Sequence, residues 1–171
     1  MAVNGKQKGN SFERTISNML SERFCEHLGL EQGFRRNPDS GSFFGGSNKS
    51  RVETHDTDFA VYGDLICPRS FIFSIECKSY KTPPTLDSIA KQSVKQWDTW
   101  ISQAEQDAEM GNKESLLVVK YNRTEIMCFL KKSFHATSDW KEIEGFAKYK
   151  DYILMSVTDF LSVSDEKFFK E

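Results

Sequence analysis

DFAVYGDLIC (residues 58–67) and SFIFSIECK (residues 70–78) decide the fold. Both are short apolar runs rich in Phe, Ile and Val, and a turn near Cys67-Pro68-Arg69 separates them, so they predict two adjacent strands. In the second run the alternation is strict. Phe71, Phe73, Ile75 and Cys77 fall on one face, and Ile72, Ser74, Glu76 and Lys78 on the other. Glu76 and Lys78, two residues apart, therefore share a face while Cys77 points away. A Glu–Lys pair on an apolar strand is costly to bury without partners. Asp64 precedes Glu76 by a gap of eleven residues, and a neighbouring strand could present it beside the pair. Two carboxylates and a backbone carbonyl are hard oxygen ligands that suit Mg2+. A lysine beside them could orient or help deprotonate an attacking water. The plainer alternative is that Glu76 and Lys78 form the solvated face of an edge strand, and the strand pattern alone leaves both open.

Upstream, Phe12, Ile16, Met19, Leu20, Phe24 and Leu28 recur every three to four residues, which predicts an amphipathic helix over 11–28. Asn10 suits its N-cap and Gly29 its C-terminal stop. GFRR (33–36) reads as a short strand, and the Gly, Ser, Asn and Pro of 37–51 as a loop. Downstream, Pro83 and Pro84 end the second strand, and residues 86–110 predict one long helix ending at Gly111. Its Trp97 and Trp100 are expected to pack on the sheet, while Gln96, Trp100 and Gln103 could border the site. Strands follow at about 115–121 and 125–131. The C-terminal part predicts a short helix near Trp140, a strand at 152–157 and a helix capped by Thr158. The order α, β, β, β, α, β, β implies an α/β fold, a central sheet with a helix on each side.

The chain has 171 residues, with 38% hydrophobic, 13% aromatic and 28% charged. That is the profile of a globular domain with a real core, not of a disordered chain. With no repeat or linker, residues 1–171 read as one domain. No apolar run is long enough to span a bilayer, and the first residues lack the apolar segment of a secretory signal, so a cytoplasmic protein without a membrane partner is expected. Four scattered cysteines without a CxxC pair argue against a zinc knuckle or disulfide scaffold. A net charge of −2 argues mildly against bulk phosphate attraction. The charge is uneven, however. Residues 1–51 carry eight Lys and Arg against five acids, and residues 52–64 carry Glu53, Asp56, Asp58 and Asp64 with no Lys or Arg. Such an order suits phosphates held beside a divalent cation, and equally an ordinary patchy surface.

Four motifs occur in sequence: Lys8-Gly9 with Glu13-Arg14, Arg36-Asn37-Pro38-Asp39-Ser40-Gly41-Ser42, Asp64-Leu65-Ile66, and Ile75-Glu76-Cys77-Lys78-Ser79. Together they resemble the archaeal-type Holliday junction resolvases of the PD-(D/E)xK nuclease superfamily, in which a KGxxxER helix start, an RxPxSGS loop, an Asp-apolar-apolar and an IExKS strand follow in this order. The resemblance covers about residues 8–80 by motif and runs more loosely to about 131, which makes 132–171 a C-terminal extension. It implies a three-layer α/β/α restriction-endonuclease-like fold with a central mixed sheet. It further implies that Asp64 and Glu76 hold the metal, that Lys78 is the catalytic lysine, and that Glu13 reaches the same site from the helix. Ser40 would lie close to the scissile phosphate, and Arg14 and Arg36 would contact the DNA backbone. The loop over 35–51, with Arg35, Lys49 and Arg51 and with Phe43 and Phe44 beside paired glycines, is a further expected contact to DNA.

The implied protein is a Mg2+-dependent endonuclease, with Mn2+ as a substitute, that leaves 5′-phosphate ends. Its implied substrate is a four-way DNA junction, cut in recombination by a homodimer whose two-fold symmetry matches the branched substrate. Other readings stay open. The target could be that of a restriction-type, nicking or repair endonuclease, or the chain could be a silent DNA-binding or assembly module of the same fold. Asn10 and Glu13 also fit a capping-box-like pair, and Ser40-Gly41 a simple turn. The segment between Ser42 and Asp64 is longer than in compact members of the family. It holds His55, Asp56 and Asp58, so Asp56 or Asp58 could replace Asp64; Gly63 before it favours Asp64.

Overall fold

A computed structural model of the chain describes residues 5–31, 33–38, 59–137 and 139–170. Its first helix, α1, spans Gly5–Leu28. It begins two turns before the expected start, so Asn10 is an interior residue and not the N-cap. The Asn10 side-chain oxygen instead accepts from Arg36 Nη2 at 2.9 Å. At the other end Gly29, with φ +62°, takes the left-handed conformation that stops the helix as expected.

A small antiparallel sheet follows, made of β1 (Arg35–Arg36), β2 (Phe59–Tyr62) and β3 (Leu65–Pro68) in the order β1-β3-β2. The expected first strand, 58–67, is thus folded into a hairpin, with Tyr62 opposite Leu65. The break falls at Gly63-Asp64, where Gly63 adopts φ +71°. Nor do the two runs pair as neighbouring strands. β3 belongs to the small sheet and β4 (Phe73–Tyr80) to the main one. A single parallel bridge, Gly63 to Ile75, ties the hairpin turn to β4.

The main sheet continues with β5 (Glu114–Tyr121), β6 (Ile126–Lys131), β7 (Ala147–Tyr149) and β8 (Tyr152–Ser156), in the order β4-β5-β6-β8-β7. β4 and β5 are parallel and the other pairs antiparallel, so the sheet is mixed. The crossover between the parallel strands carries two helices, α2 (Leu86–Ala90) and α3 (Lys95–Gly111), where one was expected. Gln92 causes the interruption. It has φ +53°, and its side-chain amide donates to Ile89 O and Lys148 O, both at 3.1 Å. Asn112, also left-handed, closes α3. After β6 come α4 (Lys132–Thr137), a 3-10 turn around Trp140, and α5 (Val157–Phe160). Ser156 caps α5 through its hydroxyl, ahead of the expected Thr158.

The alternation along β4 sorts the core. Phe73, Ile75 and Cys77 join Leu116 and Val118 under Phe12, Ile16, Leu20 and Phe24 of α1, with Trp140, Phe160 and Phe168 completing that side. The opposite face, carrying Leu117, Val119 and Phe129, is covered by Trp97, Trp100, Ile101 and Ala104 of α3. Both tryptophans pack as expected, and Trp97 Nε1 donates to the Tyr121 hydroxyl at 2.8 Å. The result is three layers, α/β/α, in a restriction-endonuclease-like arrangement. Among the described residues no helix is long and apolar enough to cross a membrane.

Candidate active site

β4 is an edge strand of the main sheet, yet Glu76 is only 1% exposed. That burial removes the reading of a solvated strand face. Two neighbours close the edge. On the α3 face, Glu76 and Lys78 stand opposite Leu117 and Val119 of β5. At the open edge the Gly63-Asp64 turn docks in place of a strand. Asp64 N donates to Ile75 O at 2.8 Å, and Asp64 Oδ2 accepts from Cys77 N at the same distance. Only glycine allows so close an approach. A Cβ on Gly63 would lie 2.4 Å from Ile75 O, and its positive φ is strained for any L side chain. Asn37, 2% exposed, fixes the turn from the other side, its side-chain amide donating to Gly63 O at 3.1 Å and its N–H to Asp64 O at 2.9 Å.

Asp64 and Glu76, both buried, therefore converge at one point of the sheet edge. Lys78 Nζ bonds Glu76 Oε1 and also donates to Gln103 Oε1 of α3 at 3.2 Å. From α1, the buried Glu13 approaches the same group, held by Arg36 Nε at 2.6 Å from its Oε2. The capping-box alternative for Glu13 thus fails, since the residue lies well inside the helix and its carboxylate bonds Arg36. Among the described residues, Glu76 Oε2 is the buried side-chain oxygen with no hydrogen-bond partner.

Burial dominates the electrostatics. It pushes Glu76 up to about 8, the Asp64 charge adds to the rise, and the Lys78 ammonium offsets only part. Glu13 is raised by burial and by Asp64, against the pull of Arg36 and Lys78. Burial works against the charged form of Lys78, but the Glu76 and Asp64 carboxylates outweigh it and hold the ammonium protonated above its ordinary range. Cys77, fully enclosed beside these acids, is raised well above a normal thiol and stays neutral.

A carboxylate this deeply buried with one bare oxygen is expensive unless a cation joins it. The donors present are hard oxygens, which fits a divalent ion such as Mg2+. Among the described residues no three Asp, Glu, His or Cys side chains form a complete ligand group. Mg2+ does not need one, because it is commonly held by one or two carboxylates and keeps several waters.

Arg14 is exposed on α1 and Arg35 exposed on β1, whereas the Arg36 guanidinium is turned to Glu13 and Asn10. Ser40, Lys49 and Arg51, with Phe43, Phe44, His55, Asp56 and Asp58, lie outside the described residues. Of the α3 residues expected to border the site, Gln103 does so directly through Lys78, while the Trp100 ring packs on Tyr80 at 4.8 Å. Two residues escaped the sequence reading. Asn37 lies inside the RxPxSGS motif without an assigned role. Asp107, four residues after Gln103, is half-buried, and burial and the Asp64 charge raise it. The spacing from Gln103 is the sequence signal that could have found it.

A family model described as "Phage putative PDDEXK endonuclease" matches residues 4–170. No curated protein and no solved structure matches the chain.

Proposed function

The chain belongs to the phage PDDEXK endonuclease family, and on that premise we propose that it is a divalent-metal-dependent DNA endonuclease, most specifically a structure-selective Holliday junction resolvase. The observation that carries this reading is the buried Glu76, bare at one oxygen, grouped with Asp64 and paired to Lys78. In this reading Asp64 and Glu76, with a main-chain carbonyl, hold Mg2+, and Mn2+ can substitute. When bound, that ion supplies charge stabilisation at the phosphate and lowers the pKa of water.

The chain's own residues do the rest. Lys78, steered by Glu76 on one side and Gln103 on the other, orients the attacking water and shields the charge that develops on the phosphate. Glu13 completes the acidic group from α1, and Arg36 fixes its rotamer. Asn37 holds the Asp64 turn in register with β4. Arg14 and Arg35, with Lys49 and Arg51 further along the chain, would contact the DNA backbone, and Ser40 would act at the scissile phosphate. A homodimer would address the two opposed strands of a four-way junction, as the motif order from Lys8 to Ser79 supports.

Cleavage of labelled four-way junction, linear duplex and single strand, each with Mg2+ and with EDTA, tests the proposal. Cutting of the junction in preference to the duplex, abolished by EDTA, is expected. Equal cutting of duplex would remove the junction selectivity and leave a general nuclease. Binding without cutting would remove the enzyme.

A further inference from the structure

The row Gln103, Asp107, Gly111 runs along one face of α3, each residue one turn from the next. Its two ends are fixed by contacts to the site. Gln103 bonds Lys78 at 3.2 Å, and a Cβ on Gly111 would lie 2.7 Å from the Tyr62 ring, one residue before the Gly63-Asp64 turn. Asp107, midway between them on the same helix face, therefore lies on the side of α3 that meets Lys78 and the Gly63-Asp64 turn. Its charge acts on Glu76, and the Asp64 charge acts on it. Glu76 Oε2, buried and without a hydrogen-bond partner, is an independent observation at the same group of residues. Asp107 is half-buried, so water can reach its carboxylate.

We propose that Asp107 is a positioning residue of the cation site, accepting hydrogen bonds from the waters that complete the ion's shell on the α3 side. The inference rests on the reading of Asp64 and Glu76 as the ion's ligands. Its energetic content is a negative charge and an acceptor facing the hydrated ion. Partners of this kind change metal affinity by roughly 10- to 100-fold.

Mn2+ binding to the full chain, followed by the loss of the free-ion paramagnetic resonance signal, tests the proposal without any turnover. Asp107→Asn should weaken Mn2+ binding at least about tenfold, and Asp107→Glu should recover much of it. The Mg2+ concentration for half-maximal DNA cleavage should rise in parallel for Asp107→Asn. Glu105→Gln removes an equal charge from the same helix, on the side paired to Lys131, and should leave binding unchanged. Wild-type affinity in Asp107→Asn, or an equal loss in Glu105→Gln, would overturn the proposal. If Asp64→Asn abolishes binding while Asp107→Asn does not, only the role of Asp107 falls. If Asp64→Asn binds Mn2+ like the wild type, the ligand reading falls with it.

Discussion

Replacing Glu76 by Gln keeps the shape of a fully buried side chain and removes the charge that the fold tolerates least. In the unfolded chain this carboxyl titrates near 4.5, and in the fold burial and the Asp64 charge move it to about 8. The folded state thus holds a proton that the unfolded state has released over that whole interval. Stability from this group is full below about 4.5 and is lost as pH rises to about 8, the opposite of an ordinary salt-bridged acid. At about 1.4 kcal/mol per pH unit, the loss is on the order of a few kcal/mol for the cation-free protein. The amide variant has no such loss. Lys78 keeps its hydrogen bond to Gln103 in the variant and faces a neutral side chain at position 76 in both proteins across this window, so its contribution largely cancels in the comparison. The difference between the two proteins should therefore widen in favour of Glu76→Gln across this window and level off above it. Urea unfolding in EDTA at a series of pH values, read by tryptophan fluorescence, measures it. Parallel stability curves for the two proteins would refute the argument, because they would mean that Glu76 is ionised in the fold at no cost.

Three further outcomes follow from the same geometry. Gly63→Ala should destabilise the protein by about 2–4 kcal/mol, visible as a lowered thermal midpoint, because its Cβ meets Ile75 O at 2.4 Å on a backbone of positive φ. Lys78→Ala should lower DNA cleavage by about 100- to 10,000-fold while circular dichroism and DNA binding persist; retained full activity would remove the lysine from the mechanism. Asp64→Asn should abolish the rise in thermal midpoint that Mn2+ produces in the wild type, and a rise of equal size would exclude Asp64 as a ligand.

The strand at 73–80 was legible because its period of two separates Phe73, Ile75 and Cys77 from Glu76 and Lys78, and both faces of the sheet are covered in turn. The hairpin at Gly63 was not. FAVY and LIC flank Gly-Asp without any change of apolar pattern, and the turn is selected by its docking on Ile75, a contact remote in sequence. The break between α2 and α3 was hidden for a similar reason. The apolar spacing continues through it, while Gln92 is held by the backbone of Lys148 in β7. Asn10 has the chemistry of a cap, but Arg36 claims its side chain. In the candidate site, the strand pattern and one spacing put Asp64, Glu76 and Lys78 forward, and the ordered motifs chose between that reading and a solvated strand face. Gln103 was expected to border the site and meets Lys78 there, whereas Asp107, one turn further along α3, follows only once that contact is known.

Anomalous diffraction from crystals soaked in Mn2+ bears most directly on the claim that Asp64 and Glu76 hold a divalent ion at the edge of β4. A peak within coordination distance of Glu76 Oε2 and an Asp64 oxygen is the predicted result. A soaked crystal with no peak there, and with Glu76 Oε2 still unpartnered or turned to a protein donor, would contradict it.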